Sequence, residues 1–565
     1  MSSTSKLLNV SIPAPKRSWF DLSRPNRSTI SPGLLYPMLV EEVLPGDDIK
    51  LSVESRLKSH ATLAPILGMF DCTYYHFFCP LRNYVMDMNL NLKQTDFRDE
   101  FDIPSFKIPN SLGSNMPYVL YQQNQTTGHY FVGVGSLLEY LGYPVGMSLL
   151  SSLISKNGAP NVNVSKEYNA VPILCYYDIW RNYFANPQQE DVTIAGGFVY
   201  GDGVSARQSY AYNVSDIDQI FKQLLNGDDF VTAFGDNIPF ERLFNMTPTP
   251  HAATIEAINF MQTKNSHAGL LPVTFHDDMF VTRLSSSYVD YVKQQVVVDT
   301  TSGSFSIDSL RMANKLAKFI DKSLFGGTRY GQWLKSHFAV NGMEHLNIPV
   351  FLGMDRMSLF FDDVVSQSNT EQGENGFLGS TGGRASVHYP KTNDVEFYAK
   401  EHGYLITLCA LRPRVEYFQG VPKMLQKTKF SDFFVPELDA VGWQPIMSKD
   451  LYANTIAAPA TDDGTNLVFT EDVVGYSPAW IEYMTSVGTV HGQFASSLDY
   501  WVLLRRFATR GNENAIDVDF STYVNPEDFN YGFAGVEDYF DNFYLNQLFT
   551  LKMGRNISKQ ILPSL

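Results

Sequence analysis

One stretch, GMFDCTYYHFFCPLRN (68–83), constrains the fold more than any other part of the sequence. Side chains in a strand alternate between the two faces of the sheet, and both sets are aromatic or apolar here. Tyr, Phe and Thr favour a strand, and Pro80 ends it. A strand that is apolar on both faces is typical of one that is buried on both faces. The stretch therefore predicts a central strand of a β protein.

The same alternation argues against a metal or redox site in this stretch. Cys72 and His76 share one face of the strand, whereas Cys79 lies on the other. A zinc site needs a C-x₂₋₄-C pair and a second pair of ligands, and the stretch offers neither. We therefore expect these residues to be structural, and we expect no metal and no cofactor.

The composition indicates a surface that meets other protein. Phe and Tyr together outnumber Lys and Arg, 71 to 43, and charged residues make up 18% of the chain, against about 25% in a typical soluble domain. The net charge of −16 argues against a protein that covers nucleic acid with its whole surface, although a local basic patch remains compatible with it. The length of 565 residues allows several domains or one large β unit with long insertions.

Cysteine usage and hydropathy predict a cytoplasmic site of synthesis. The four cysteines (72, 79, 175 and 409) show no disulfide-like or metal-like spacing, which favours a reducing compartment. The first twenty residues have no apolar core of a signal peptide, and no apolar run approaches 18 residues. We expect no membrane insertion.

The first 33 residues predict an extended, basic N-terminal arm. They are rich in Ser and Pro and lack periodicity. Asp21 is the single acid among five cations, so the arm carries a charge of +4. Two interpretations stay open: a disordered tail, or an arm that touches an anionic partner. The cations are Lys6, Lys16, Arg17, Arg24 and Arg27.

The remaining residues, 34–565, predict a single β domain with long insertions. Residues 38–79 have β character, with a turn at LPGDD, and ILCYYDIWRNYFANP (173–187) predicts a short helix. Residues 188–270 are polar and rich in Gly and Asp, which indicates a surface insertion or a buried loop between subunits. Segment 356–395, with GSTGGR (379–384) at its centre, is interpreted as a loop, whereas 394–414 and 496–507 are interpreted as strands. Such a pattern is typical of an elaborated antiparallel sandwich.

The clearest amphipathic helix covers residues 306–327. Its apolar residues fall within a stripe about 60° wide, and a cation stripe lies nearly opposite. The cations either form a solvated face or meet phosphate or acidic side chains. They are Arg311, Lys315, Lys318 and Lys322.

Motifs of common enzymes are absent from the sequence. It contains no G-x-x-x-x-G-K-[ST], no G-x-S-x-G and no H-E-x-x-H. GSTGGR could cradle a phosphate, but no helix follows it. Carboxylate pairs of the kind glycosidases use are far apart in sequence and leave no local motif, so a jelly-roll carbohydrate-binding protein or glycosidase stays open as the alternative function.

Several ordered blocks resemble the major capsid protein of the Microviridae, small bacteriophages with circular single-stranded DNA. The main block is ALRPRVEYFQGVPKMLQKTKFSDFFVPELDAVGWQPI (410–446), which carries R-P-x-x-x-Y-x-Q-G-[IV]-P followed by an aromatic F-x-D-F-F-x-P-E run. The other blocks are EEVLPGDDIKL with APILGMFDCTYYHFFCPLR, YYDIWRNYFANP, LRMANKLAKFIDKSLFGGTRYGQWLKSHFAV and YSPAWIEYMTSVGTVHGQFASSLDYWVLLR. In the gokushovirus-like branch, a surface protrusion stands where residues 188–270 lie here.

The resemblance implies a mainly β fold, an eight-stranded viral jelly-roll barrel whose long loops contain short helices. It also implies a T=1 icosahedral shell of sixty copies, assembled in the cytoplasm of a host bacterium. Expected partners are other copies of the chain, packaged single-stranded DNA, a small basic DNA-binding protein and a host surface receptor. No enzymatic activity is expected. For contact with nucleic acid the candidates are Lys6, Lys16, Arg17, Arg24, Arg27, Arg311, Lys315, Lys318 and Lys322.

Overall fold

The structure, a computed structural model, describes the following residues: 17–85, 105–108, 127–129, 134–143, 166–184, 191–201, 204–213, 247–249, 267, 269–271, 338, 348–365, 381–392, 394–436, 443–453, 473–478, 480–484, 486, 488–505, 508–510, 516–518, 532–533 and 541–557.

Strands dominate the described residues. They are β1 (Ser18–Asp21), β2 (Arg24–Ile30), β3 (Leu35–Val43), β4 (Asp48–Ser59), β5 (Met69–Pro80), β6 (Ser105–Ile108), β7 (Thr127–His129), β8 (Lys166–Asn169), β9 (Asp191–Gly201), β10 (Val204–Asn213), β11 (Thr247–Thr249), β12 (Val350–Val365), β13 (Thr381–Tyr389), β14 (Val395–Tyr398), β15 (Gly403–Pro413), β16 (Trp443–Met447), β17 (Val473–Pro478), β18 (Ala508–Arg510), β19 (Ile516–Val518) and β20 (Phe543–Arg555). The α-helices are α1 (Leu137–Tyr140), α2 (Val171–Tyr183), α3 (Lys423–Gln426), α4 (Ser448–Leu451) and α5 (Ile481–Met484).

Ten strands form one antiparallel sheet that curls on itself. Its main path runs β1-β20-β4-β13-β12-β5-β15-β3, while β2 also pairs with β20 and β14 with β4. The long strand β12 joins the two halves, because Val350–Phe360 pair with β5 and Phe361–Val365 pair with β13. The mainly β, jelly-roll-type fold expected from the sequence is confirmed.

The two halves of the curled sheet enclose the core. From Phe543 to Met553 the buried residues of β20 alternate with exposed or half-buried ones, as expected for a strand with one buried face. Tyr74 on β5 accepts a hydrogen bond from Gln547 on β20 at 2.9 Å, and the rings of Phe70 and Phe543 lie 5.0 Å apart. The core therefore joins β strands from opposite ends of the chain.

The aromatic stretch 68–83 contains β5, which ends at Pro80 as predicted. It pairs with β12 on one side and β15 on the other, and ten of its residues from Phe70 to Cys79 are buried on both faces. Cys72 lies 3.5 Å from Cys409, sulfur to sulfur, while Cys79 meets Cys175 of α2 on the other face. The prediction of a central strand with divergent cysteines is confirmed.

The helix predicted within 173–187 is α2, and it lies on the outer side of β5 and β3. Asn169 accepts a hydrogen bond from the Val171 N–H at 2.9 Å, and Pro172 occupies the first turn, where its missing N–H costs nothing. Tyr176 donates to the backbone oxygen of Leu35 at 2.8 Å. Ten residues of the helix are buried, so it is part of the core.

Two sequence interpretations are wrong. In its described residues, segment 356–395 is not a loop: it supplies most of β12 and all of β13. Met357 and Leu359 alternate with polar neighbours, which marks the strand. The glycine at Gly383 in β13 is required because a side chain there would overlap Thr62 and Pro65.

Segment 496–507 is not a strand in its described residues. It forms a 3₁₀ turn at Asp499–Trp501, and Val502 and Leu504 then pack in a small cluster with Val490. Its apolar run reflects that burial rather than pairing in a sheet.

Other predicted segments are only partly described. Residues 18–30 of the N-terminal arm form β1 and β2 on β20, whereas 1–16 lie outside the described residues. The insertion 188–270 contains the antiparallel hairpin β9–β10, and His267 and Leu270 near its end are buried in the core. The amphipathic helix 306–327 lies outside the described residues. Among the described helices, none is long and apolar enough to cross a membrane.

Candidate nucleic-acid interface

A row of polar side chains crosses the outward face of four neighbouring strands. Arg27 of β2 lies opposite Asn546 of β20, which lies opposite Arg56 of β4, which in turn lies opposite His388 of β13. Residues directly opposite one another in an antiparallel sheet share a face. With about 4.8 Å between strands, the Arg27 and Arg56 backbones are about 10 Å apart.

A second row lies two residues further along the same strands. Here Thr29, Tyr544, Lys58 and Ser386 stand opposite one another. Tyr544 is 42% exposed, although the strand residues on either side of it are buried. The two rows together place three cations and one exposed aromatic ring on one patch of the sheet.

The residues of the two rows on β2, β20 and β4 line a cavity of about 990 Å³, here called the basic basin. Its walls include Arg27, Arg56, Lys58, Tyr544 and Asn546, and α1 closes one side. None of the three cations forms an ion pair with any residue in the described part of the chain. Their charge is therefore directed at solvent or at a ligand.

The two carboxyl groups at the basin wall do not neutralise these cations. Asp541 is buried and bonded to Ser31 at 2.8 Å and to His267 at 2.6 Å. Burial raises the pKa of Glu139, and its carboxylate accepts a hydrogen bond from the backbone N–H of Gly135. Both carboxyl groups are thus bonded to other parts of the fold, and the basin keeps a positive surface.

A positive groove with an exposed aromatic ring is the arrangement that binds single-stranded nucleic acid without reading its sequence. Lys and Arg contact phosphates, and a base can stack on the ring. Guanidinium groups add paired N–H donors that match phosphate oxygens. The basic basin can therefore hold a short segment of a polyanion.

The predicted site residues divide into three groups. Arg27 lies in the basic basin. Arg17 and Arg24 are engaged within the fold: Arg17 donates to the Gly46 oxygen at 2.7 Å, and Arg24 meets Glu41 at 2.7 Å. The others lie outside the described residues and remain predictions; they are Lys6, Lys16, Arg311, Lys315, Lys318 and Lys322.

Sequence reasoning missed Arg56, Lys58 and Tyr544. The alternation in SVESRLKS places Arg56 and Lys58 on the solvent face of a strand, so a local signal existed. Their proximity to Arg27 depends on the register of β20 between β2 and β4, which no local pattern gives.

Comparisons with known proteins agree on one family. The model of the family described as "Capsid protein (F protein)" matches residues 141–562. A capsid protein VP1 of Bdellovibrio phage phiMH2K is 25% identical over 540 residues, covering 90% of this chain and 89% of that protein. A capsid protein VP1 of Chlamydia phage 1 is 24% identical, covering 94% and 93% of the two chains. A capsid protein VP1 of Spiroplasma virus 4 is 26% identical over 215 residues, 36% of each chain.

Proposed function

The chain belongs to the capsid protein (F protein) family and is a structural capsid protein of a small phage of the Microviridae type, and from this premise we propose that sixty copies form a closed T=1 shell around a single-stranded DNA genome. The family match over most of the chain supports the shell. It also favours this function over the jelly-roll carbohydrate-binding protein or glycosidase. No catalytic turnover is part of the proposal.

The basic basin is the observation that carries the proposed contact with DNA. Sixty chains of net charge −16 hold on the order of 1000 negative charges, so an enclosed genome needs local positive surface. Arg27, Arg56 and Lys58 supply it on the outward face of the sheet, and Tyr544 offers a ring for a base. The cation stripe at 311–322 and a separate small basic DNA-binding protein are further proposed contributors.

Two further parts of the proposal concern the life cycle of the phage. The insertion 188–270 extends outward ahead of its buried end at His267 and Leu270 and contacts a host receptor, supported by its polar, Gly-rich and Asp-rich sequence. Assembly takes place in the bacterial cytoplasm, supported by the four cysteines, which are free and buried. Limited proteolysis of intact particles should cut 188–270 first; protection equal to that of the sheet would contradict the outward position.

The shell itself is tested by electron microscopy and sedimentation of the purified chain. Closed particles of uniform size are expected. A chain that stays monomeric under all assembly conditions would refute the proposal.

The basin is tested by replacing its three cations with Gln. The variant Arg27→Gln/Arg56→Gln/Lys58→Gln should form shells that contain less DNA. For single strands, each lost phosphate contact lowers the slope of log K against log salt by about 0.7, so dissociated subunits should lose about 2 in slope for a single-stranded oligonucleotide.

A matched control removes three lysines that face carboxylates instead of the basin. Lys50 meets Glu396, Lys391 meets Asp394, and Lys552 faces Asp21. The triple Gln variant at these positions changes the net charge equally and should keep both the salt slope and the DNA content. Equal effects in the two variants would mean that total charge, rather than the basin, governs packaging.

A further inference from the structure

An exposed apolar surface lies far from the basic basin in sequence, on the segment between β15 and β18. Its seven large side chains are 41% to 87% exposed, and Phe430 is the most exposed of them. We call this surface the apolar patch; it consists of Met424, Leu425, Phe430, Phe433, Phe434, Tyr483 and Met484.

The patch is held in shape by contacts between two short segments, around α3 and around α5. Lys427 Nζ donates to the Tyr483 hydroxyl at 2.9 Å and to Glu482 at 3.0 Å, and it lies 4.2 Å from the centre of the Tyr483 ring. The rings of Phe434 and Trp480 lie edge to face at 5.5 Å. The apolar side chains are therefore presented on a built surface.

The segment has little core of its own. Around it, the described buried apolar residues form a cluster of Val490, Val502 and Leu504, and α3 and α5 contain no buried residue. Gly420 touches the backbone oxygen of Asp450 so closely that no side chain fits, which fixes the loop but buries no apolar area. A segment built in this way gains from a second surface that covers it.

The size and charge of the patch indicate what covers it. At roughly 200 Å² for a large side chain, the seven residues expose on the order of 850 Å², close to the roughly 800 Å² that each partner contributes to a standard protein–protein interface. Lys427, at its centre, is neutralised by Glu482, while Lys429 lies exposed at its edge. An apolar surface with a polar rim suits protein, and a single exposed lysine at the rim is too little positive charge for a phosphate backbone.

We propose that the apolar patch is a subunit contact, covered in the shell by a second copy of this chain. The inference rests on the proposed function, since a shell requires each copy to bury surface against its neighbours. Heterologous contacts that close into rings allow one chain to build such a shell. Phe430 inserts into the neighbour, while the contact hides Met424, Leu425 and Met484 from water.

The test uses thiol labelling, because all four native cysteines are buried and give a silent background. Phe430→Cys is compared with Lys552→Cys, an exposed position on β20 that belongs neither to the apolar patch nor to the basic basin. Both are treated with a small maleimide as dissociated subunits and as empty shells. Cys at 430 should react fast in subunits. In shells its labelling rate should be lower by a factor of about 10 or more, because reaction then requires local opening of the contact. Cys at 552 should react equally in both.

Other outcomes would overturn the inference. Equal reactivity at 430 in subunits and empty shells would leave the patch uncovered. Slow reaction of Cys at 430 in free subunits would mean that another part of the same chain covers the patch. Protection of this cysteine only in DNA-filled particles would mean that packaged DNA or another enclosed component covers it. Failure of the unmodified chain to form shells would instead refute the proposed function.

Two further variants guard against a cysteine that itself blocks assembly. Met484→Cys repeats the labelling with a residue closer in size. Phe430→Asp should leave the subunit folded, with unchanged denaturant unfolding, and should abolish shells. Normal shell yield from Phe430→Asp combined with Met484→Asp would contradict the contact.

Discussion

Asp71 on β5 offers the sharpest test of how the sheet is held together at neutral pH. Its carboxylate is nearly buried and accepts hydrogen bonds from Ser358 at 2.6 Å, from Arg414 at 2.8 Å and from Arg356. Burial works to raise its pKa, but the hydrogen bonds outweigh burial and lower the pKa to about 2 from 3.8. The ionised form is therefore the one that the fold stabilises.

The magnitude follows from linkage. At about 1.4 kcal/mol for each pKa unit, the shift corresponds to roughly 2.5 kcal/mol. The guanidinium groups of Arg356 and Arg414 are half exposed, so solvent screens them, and we expect about 1 to 2 kcal/mol. Asp71→Asn should lower the free energy of unfolding by that amount at pH 7, since an amide cannot replace the charge between two arginines.

The direction of the pKa shift determines how this stabilisation changes with pH. Because the folded pKa lies below the unfolded one, the stabilisation is complete above pH 3.8 and is lost as the pH falls towards 2. The difference between wild type and Asp71→Asn should thus shrink on acidification, to about half by pH 3. Denaturant unfolding of dissociated subunits between pH 7 and pH 3 measures it.

A control and a contrary result complete this test. Asp363→Asn removes an exposed carboxylate at the end of β12 and should change stability by no more than about 0.5 kcal/mol. Two results would refute the assignment of the stabilisation to the ionised carboxylate. One is an equal free energy of unfolding in wild type and Asp71→Asn, and the other is a difference between them that stays constant from pH 7 to pH 3.

Three further predictions concern the core. Burial raises the pKa of Asp178 to about 6, so its contribution to stability is lost as pH rises through 6. Asp178→Asn keeps an oxygen for Tyr84 but loses the hydrogen bond from Asn182, so it should stabilise subunits by about 1 to 2 kcal/mol at pH 8 and by less near pH 4, and destabilisation at pH 8 would contradict this. Gly403→Ala places a methyl group against the backbone oxygen of Cys79 and should lower the free energy of unfolding by about 1 to 3 kcal/mol in denaturant titrations, whereas unchanged stability would refute the close approach. Native subunits should consume no thiol reagent until denatured, and any rapidly reacting cysteine would contradict the burial of all four.

The sequence by itself determined the elements whose burial is written into local periodicity. Aromatic residues on both faces of 69–80 predicted a central strand, and the aromatic segment without Gly that Pro187 closes predicted α2. The ordered motifs, including 410–446, also identified the capsid family correctly. These signals are local because a strand or helix buries a fixed pattern of neighbours along the chain.

Other features were decided only by tertiary structure. The sequence around the Gly-rich GSTGGR favours a loop at 356–395, although the segment contains most of β12. The sequence of 496–507 favours a strand, although Val502 and Leu504 pack in a cluster. A residue's side of a strand can be deduced from alternation, but its neighbour across the sheet depends on register. Arg27 and Arg56 lie on either side of Asn546, which comes from near the other end of the chain and pairs with both. Register is set by how all ten strands bury their inner faces together, so the basic basin exists only once the sheet has closed.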